Sequence, residues 1–291
     1  MSNMKTRRIA IICVLCLITC MLCGFTAVSP PQQEDARTSP CTDVLVAVNG
    51  LPVSRAYKID DTTFMALPAF CEALGLQPET EWDEETAQYR LWFDGMYMEY
   101  TAGNSYMLAN DRCIYLDSGV YKLGDSLIFP IRSLAKAFGV GVSWQDGEAG
   151  DCVDLDMTEL SLLDPGDSFY NADDLYWLSR IIQAEAGNQS IDGKIGVGNV
   201  VLNRVADPTC PNSVYEVIFD NRYGVQFSPT ESGTIYCEPS EESVAAAKLC
   251  LEGYETVGAS LFFLNPDSGA SDWFANTRTY VVTIGNHDFY A

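Results

Sequence analysis

The chain has 291 residues, of which 47% are hydrophobic, and this is ample for packed cores and predicts two domains. Its 40 acidic residues outnumber its 17 lysines and arginines, so the formal net charge is −23. Such a surface repels nucleic acid and anionic membranes, and we expect no nucleic-acid partner.

The first 28 residues have the pattern of an export signal. Three basic residues, Lys5, Arg7 and Arg8, precede an apolar run over 9–23. The run lacks a clean small-x-small cleavage site and is nearly long enough to span a bilayer. A cleaved signal peptide and a retained N-terminal membrane anchor are both open, and we expect an exported protein that is extracellular or associated with the cell wall or membrane.

The cysteines favour disulfides weakly and do not favour a metal site. Four of the 11 lie in the apolar leader, and the remaining seven contain no C-x-x-C pair. An odd and widely spaced set argues against a zinc knuckle and fits one or two bridges, or buried thiols that act as small hydrophobes. We expect no metal and no other cofactor.

After a polar, proline-bearing linker over 29–42, the region 43–157 contains an internal repeat. The segment FMALPAFCEALGL (64–76) matches IFPIRSLAKAFGV (128–140), and a tryptophan follows each copy. Each copy predicts strands, a short helix, a glycine that ends the helix, and a hairpin. We therefore expect two α+β units that pack together.

This repeated pattern resembles the copper amine oxidase N-terminal-like domain, a non-catalytic α+β module of exported bacterial proteins. The resemblance implies no copper site, and the sequence has no histidine before His287. A histidine-based metal site is therefore excluded in this half of the chain. We expect residues 43–157 to be a wall-facing scaffolding or interaction module that can bind a protein partner.

A second linker, over 158–172, leads into a predicted helix that opens the domain 173–291. An asparagine or aspartate at the helix start can cap it. Apolar residues then recur at three- and four-residue steps up to Glu185, which places this carboxylate on the buried face. We expect the helix to end at Ala186–Gly187, where the glycine can take the left-handed conformation.

The predicted position of Glu185 has chemical consequences. A carboxylate at the end of a buried helix face is partly desolvated, and both desolvation and the helix dipole raise its pKa. That environment suits a general acid that protonates a leaving oxygen. Two alternatives are an ion pair with Arg180 or Arg204, and a side chain turned to water at a frayed helix end.

Several blocks then occur in order, namely EAGNQSIDGKIGVGNVVLNRV (185–205), VQFSP (225–229), ASLFFLNP (259–266) and TIGNHDFY (283–290). Together they resemble the spore cortex-lytic, cell wall hydrolase family (SleB-like). The resemblance implies a mainly helical, lysozyme-like domain, so that the whole chain is α+β with two domains. It also implies cleavage of peptidoglycan between N-acetylmuramic acid and N-acetylglucosamine as a lytic transglycosylase. The family's catalytic glutamate falls on Glu185, as acid and then base.

The chain departs from many family members at Gln189, where they carry a second glutamate. This change fits a mechanism with one acid. It also fits our alternative, an inactive domain that only grips glycan as a wall-binding adaptor. Asp192 is a poor second carboxylate, because a break at Gly187 and a predicted helix cap at Ser190 separate it from Glu185.

A helix predicted over 191–205 contains Gly193, Gly196 and Gly198. Each helical glycine costs about 1 kcal/mol relative to alanine, so these positions indicate a close helix crossing or a backbone approached by ligand. We predict close packing.

Five residues are candidates for substrate contact under the family comparison. Gln226, Ser228 and Asn265 offer the amide and hydroxyl groups that N-acetylated sugars require, while Phe227 and Trp273 offer flat faces for stacking on sugar rings. Core packing also explains the aromatic residues.

The single histidine, His287, limits the rival chemistries. A zinc amidase needs two or more histidines, and a Cys–His peptidase needs this one beside a reactive cysteine. We expect His287 to form a structural hydrogen bond and take no part in proton transfer.

Overall fold

A computed structural model describes residues 34–35, 41–146, 150–158, 160–266 and 276–291. The export segment predicted over 1–28 lies outside these residues. Within them, every helix is too short or too polar to cross a membrane.

Before residue 160 the described chain is mainly β structure. Its strands are β1 (Glu34–Asp35), β2 (Cys41–Val48), β3 (Leu51–Ile59), β4 (Thr62–Ala66), β5 (Glu79–Asp83), β6 (Gln88–Phe93), β7 (Met96–Thr101), β8 (Tyr106–Ala109), β9 (Arg112–Tyr115), β10 (Tyr121–Leu123), β11 (Ser126–Pro130), β12 (Gly141–Gln145) and β13 (Cys152–Asp156). Helices α1 (Leu67–Ala73) and α2 (Ile131–Phe138) lie between them. One sheet has the order β1-β10-β11-β4-β3-β2-β13-β12, and the other has the order β5-β6-β7-β8-β9.

The internal repeat forms two equivalent strand–helix units, β4–α1 and β11–α2. The two strands pair antiparallel, with Met65 opposite Phe129. Gly75 and Gly139 follow the helices with φ angles of 78° and 62°, which is the left-handed conformation that the pattern predicted. The two copies therefore lie side by side in one sheet.

The hairpins that follow these helices lie in different sheets, which the repeat did not predict. Strands β5 and β6 start the five-stranded sheet, whereas β12 and β13 form an edge of the eight-stranded sheet, where β13 runs parallel to β2. Strands β7 to β9 follow only the first copy and extend its hairpin, so this insertion separates the two hairpins.

Both helices pack into one core. The rings of Phe70 on α1 and Phe138 on α2 are fully buried, and their centroids are 5.4 Å apart. These residues occupy the predicted apolar positions of each helix, so the repeat buries its two copies against each other.

After residue 160 the described chain is mainly helical, with a small sheet near its end. Its helices are α3 (Gly166–Phe169), α4 (Ala172–Ala186), α5 (Ile191–Ala206), α6 (Val214–Ile218), α7 (Pro229–Ser232) and α8 (Glu241–Leu251). Strands β14 (Phe262–Leu264), β15 (Tyr280–Ile284) and β16 (His287–Tyr290) form a sheet in the order β14-β16-β15. The α+β class is confirmed.

The glycines of α5 allow close packing, as predicted. A Cβ atom added at Gly196 would lie 2.8 Å from the Phe289 ring. One added at Gly198 would lie 2.6 Å from the Cys250 sulfur and 2.9 Å from Ile182. Side chains from β16, α8 and α4 therefore approach the α5 backbone directly.

The prediction of a left-handed Gly187 is wrong. Its φ and ψ angles are −56° and −27°, which is the right-handed conformation. The chain instead turns over the next two residues, where the Gln189 amide donates to the Ala186 carbonyl. Ser190 then caps α5 by accepting from the Gly193 amide, so the two helices follow each other with no left-handed residue.

The β-rich part and the helical part share an interface, because Gln33–Ala291 form one compact unit. The segment 158–172, which we expected to be a linker, contains α3 and the buried Tyr170. The Tyr170 hydroxyl accepts from the Cys113 amide at 3.0 Å and donates to Glu252 at 2.8 Å. This segment therefore passes through the interface.

Charged groups reinforce that interface. Arg112 donates from Nε and Nη2 to the two carboxylate oxygens of Glu252, at 2.8 Å each. Lys248 pairs with Asp111 at 2.5 Å. Strand β9 and the residues beside it are therefore bound to α8 and the turn after it.

All seven cysteines after the leader are free thiols, and three of them, Cys71, Cys113 and Cys250, are buried. The one or two bridges that the spacing suggested are absent among these seven residues, and the alternative of buried thiols holds for three of them. Burial raises the pKa of Cys71 to about 12, so this thiol stays protonated and unreactive at neutral pH.

Candidate active site

Helix α4 carries the candidate acid and begins as predicted. The Asn171 side-chain oxygen accepts from the amides of Asp173 and Asp174 at 3.0 and 3.1 Å, which caps the helix. Ile181 and Ile182 are fully buried in the helical core. The apolar face of α4 is therefore buried from Leu178 up to the turn that holds Glu185.

Glu185 lies on the last turn of α4 and is partly buried. Desolvation raises the pKa of its carboxyl. Among the residues that the structure describes, none donates a hydrogen bond to this carboxylate and no cation pairs with it. A buried carboxyl without a charged partner holds its proton to higher pH, which is the property a general acid needs.

Arg180 and Arg204, the two arginines considered as ion-pair partners of Glu185, bind other groups. Arg180 donates to Glu238 at 2.7 Å. Arg204 donates from Nε to the Leu261 carbonyl at 2.7 Å and from Nη1 to Gln226 at 3.4 Å. The ion-pair alternative for Glu185 is therefore wrong, and its partial burial also argues against a side chain turned fully to water.

The C-terminal end of α5 holds the loop that leads into β14. The Asn203 amide donates to the carbonyls of Gly258 and Ser260, at 2.8 and 2.9 Å. The Arg204 guanidinium lies over the rings of Phe227 and Phe262, at 5.2 and 5.4 Å from their centroids. These two polar residues are thus positioning groups, whereas helix-end solvation was an equal alternative from sequence.

The predicted substrate-contact residues differ in exposure. Gln226, Ser228 and Asn265 are exposed. The Gln226 side chain also accepts from Arg204 and donates to the Gly224 carbonyl. Phe227 is only 2% exposed and belongs to the same buried cluster as Ile181 and Ile182, so its ring is covered by protein. Trp273 lies outside the described residues.

Gln189, at the position of the second family glutamate, and Asp192, the remaining candidate for a second carboxylate, both form hydrogen bonds within the protein. Gln189 accepts from the Asn286 amide at 3.0 Å and thereby links the loop after α4 to the turn before β16. Asp192 accepts from the Tyr115 hydroxyl at 2.7 Å. The glutamine is thus a structural link between two loops, and the aspartate faces the β-rich part of the chain.

His287 lies on β16 and is 8% exposed. The structural hydrogen bond that we expected for it is not found: within the described residues its Nδ1 atom is buried without a partner. Burial lowers the pKa of His287, so its ring is neutral at pH 7. Its ring instead packs against Phe263, with centroids 5.2 Å apart.

Comparison with known families agrees with this architecture. Residues 188–290 match the Cell Wall Hydrolase family, and residues 47–149 match the copper amine oxidase N-terminal domain. The chain therefore carries a cell wall hydrolase domain preceded by a copper amine oxidase N-terminal-like domain. Glu185 lies three residues before the matched range of the hydrolase family.

Among individual proteins, the chain is similar to spore cortex-lytic enzymes. It is 32% identical over 120 residues to that of Bacillus cereus and 30% identical over 120 residues to that of Bacillus subtilis strain 168. These alignments cover 41% of this chain and 45% and 38% of the relatives, so the chain spans less than half their length.

Two solved structures are similar to the same region. The catalytic domain of the germination-specific lytic transglycosylase SleB from Bacillus anthracis is 30% identical, with 44% of this chain and all of that chain covered and a TM-score of 0.39. The catalytic domain of the Bacillus cereus SleB protein is 31% identical, with 42% and 92% covered and a TM-score of 0.38.

Proposed function

We propose that the helical domain cleaves peptidoglycan glycan strands between N-acetylmuramic acid and N-acetylglucosamine, with Glu185 as its catalytic residue. The observation that carries the proposal is a single partly buried carboxyl, with a raised pKa and no described partner, at the end of a buried helix face. The membership of the domain in the Cell Wall Hydrolase family supports the substrate class.

The reaction requires only one acid. Protonated Glu185 donates its proton to the bridging oxygen while the bond from that oxygen to C1 of muramic acid breaks, and N-acetylglucosamine leaves with the new hydroxyl. The Glu185 carboxylate then accepts the proton of the muramic C6 hydroxyl as that oxygen bonds to C1. The product has a 1,6-anhydromuramic end, no water is consumed, and Glu185 is protonated again.

The substrate contacts belong to the same proposal. Gln226, Ser228 and Asn265 are exposed polar groups on the loops beside β14 and α7, where amides and hydroxyls can bind N-acetyl and sugar hydroxyl groups. Trp273 remains a predicted stacking residue. Since peptidoglycan lies outside the cytoplasmic membrane, we propose that the protein is exported and acts at the cell wall.

The second candidate is a wall-binding adaptor without catalytic activity. It is favoured by Gln189, which stands where many relatives have a glutamate and which is used to link two loops. Product formation separates the candidates, because an adaptor binds glycan strands without releasing fragments.

The test compares the full chain with its Glu185→Gln variant on purified peptidoglycan, with soluble products identified by mass spectrometry. We expect anhydromuropeptides from the parent and a rate about 10²–10⁴-fold lower for the variant, the usual contribution of a general acid. Glu255→Gln removes an exposed carboxylate of the same domain and serves as the matched control. It should leave the rate unchanged.

Three results contradict the proposal in different ways. Equal rates for the parent and Glu185→Gln would exclude Glu185 as the acid. Products with a reducing muramic end would require a water nucleophile and a second carboxylate. Retained glycan binding with no products from either protein would leave the adaptor.

A further inference from the structure

A cavity of about 560 Å³ lies between the β-rich part of the chain and the helical domain. Its walls include Lys58 of β3, Arg132 of α2 and Trp144 of β12, and Tyr254 of the helical domain closes one side. Glu185 is not part of its lining. The cavity therefore belongs mainly to a module that the proposed reaction does not use.

Three of the protein's basic residues line this cavity. Lys58, Arg132 and Lys136 line it together with Asp61 and Asp117, in a chain of net charge −23. Lys136 lies 3.7 Å from the Glu252 carboxylate. Within the described residues neither Lys58 nor Arg132 has a carboxylate partner. Cations left unpaired in so acidic a chain favour an anionic ligand.

The lining also offers flat apolar surface. Trp144 and Tyr254 are partly exposed. The Lys58 ammonium lies 4.8 Å from the centre of the Trp144 ring, and the Lys136 ammonium lies 5.9 Å from that of Tyr254. Cations beside aromatic faces can bind a ligand that combines a carboxylate with a sugar ring or an apolar side chain.

One wall of the cavity is bonded to the hydrolase domain. Tyr115 lines the cavity, and its hydroxyl donates to Asp192 in the first turn of α5, the helix that follows the loop after Glu185. The cavity is therefore an integral part of the compact unit that contains the proposed acid.

We propose that this cavity binds a carboxylate-bearing glycopeptide, with its carboxylates at Lys58 and Arg132 and its sugar or peptide face on Trp144. A guanidinium can bind a carboxylate with two parallel hydrogen bonds. Asp61 and Asp117 keep the total charge low, which suits isolated carboxylates better than a polyphosphate. The preference for an anion follows from the lining, whereas the choice of a cell wall glycopeptide rests on the proposed function.

The test measures binding of a purified disaccharide-tetrapeptide from peptidoglycan to the full chain by calorimetry and tryptophan fluorescence. The chain carries Glu185→Gln so that no substrate is consumed. Adding Lys58→Gln and Arg132→Gln should weaken binding by about tenfold or more, because charge-assisted hydrogen bonds are lost. Lys122→Gln is the matched control, since Lys122 is an exposed lysine on β10 outside the lining, and it should bind as the parent does.

Two further ligands test whether the carboxylates are needed and whether another anion binds more tightly, and an unfolding measurement tests whether the variants are folded. The same glycopeptide with amidated carboxylates should bind as weakly as the double variant does to the acid form, and inorganic polyphosphate should bind no better than the glycopeptide. Thermal unfolding of each variant verifies that the fold is kept. Trp144→Phe should remove most of the fluorescence change on binding.

The inference is overturned if the glycopeptide does not bind, if the double variant binds it as the parent does, or if the amidated ligand binds equally well. Tighter binding of polyphosphate would overturn the ligand class. These outcomes are distinguishable from a failure of the proposed function, because formation of anhydromuropeptides by the parent tests Glu185 and not the cavity.

Discussion

Replacing Arg112 by methionine should destabilise the protein at the interface between its β-rich and helical parts. Arg112 donates two hydrogen bonds of 2.8 Å to Glu252, whose side chain is only 3% exposed. Removing one partner of a buried ion pair costs about 3–5 kcal/mol, because the other charge stays buried. Lys136 lies 3.7 Å from the same carboxylate and Tyr170 still donates to it, so we expect the lower value, about 3 kcal/mol.

Thermal or urea unfolding of the full chain measures this loss. For a protein of this size about 1 kcal/mol lowers the midpoint by about 2–4 °C, so Arg112→Met should lower it by about 6–12 °C. Arg55→Met is the control, because the Arg55–Asp43 pair is exposed and contributes little. Arg112→Met combined with Glu252→Leu removes both charges and should regain most of the loss.

The same contact predicts an acid-dependent stability. Burial acts to raise the pKa of Glu252, but hydrogen bonds from Arg112 and Tyr170 outweigh it, and the pKa lies below its ordinary value of 4.5. Because the folded pKa of Glu252 is depressed, the stability contributed by its ionised carboxylate is complete above pH 4.5 and is lost as the pH falls through the folded pKa.

A loss of stability under about 1 kcal/mol for Arg112→Met, or an equal loss for Arg55→Met, would refute the prediction for the buried Arg112–Glu252 pair.

Three further predictions concern the helical domain. Since burial raises the pKa of Glu185 above 4.5, the cleavage rate should fall as the pH rises through that raised value, and a pH–rate profile without this fall would contradict the acid role. Gly198→Ala places a Cβ atom 2.6 Å from the Cys250 sulfur. Overpacking of about 1–3 kcal/mol should exceed the helix gain of about 1 kcal/mol, so urea unfolding should show a net loss; a stabilised variant would show that the crossing is loose. Gln189→Glu keeps an acceptor for the Asn286 amide, so the rate and the anhydro product should persist in the peptidoglycan assay, and a switch to reducing ends would reveal a second carboxylate.

Helix caps, helix ends and buried helix faces were predicted from short stretches of sequence. The cap at Asn171, the buried face of α4 and the position of Glu185 follow from one residue type at a helix start and from apolar spacing. The left-handed Gly75 and Gly139 follow equally from helix-stop chemistry. At Gly187 the same rule was wrong, because the next helix cap follows so soon that a right-handed turn suffices.

The features that the sequence did not predict depend on residues far apart in the chain. Arg112 and Glu252 are separated by 140 positions, and neither lies in a recognisable motif. The cavity lining combines strands, a helix and a loop of both parts of the chain. The sequence shows that basic residues are scarce, but it does not show which of these residues lack a carboxylate partner in the folded protein.

The number of available carboxylates bears on the type of reaction. A hydrolase that uses water generally needs a second carboxylate about 5–10 Å from the acid. Near Glu185 in sequence, Gln189 cannot ionise and Asp192 accepts a hydrogen bond from Tyr115 of the β-rich part. A nucleophile supplied by the sugar itself needs no such group, so a glutamine at position 189 is compatible with catalysis. The reaction product therefore distinguishes the two reaction types: an anhydro end requires only Glu185, and a reducing end would require a carboxylate from elsewhere in the domain.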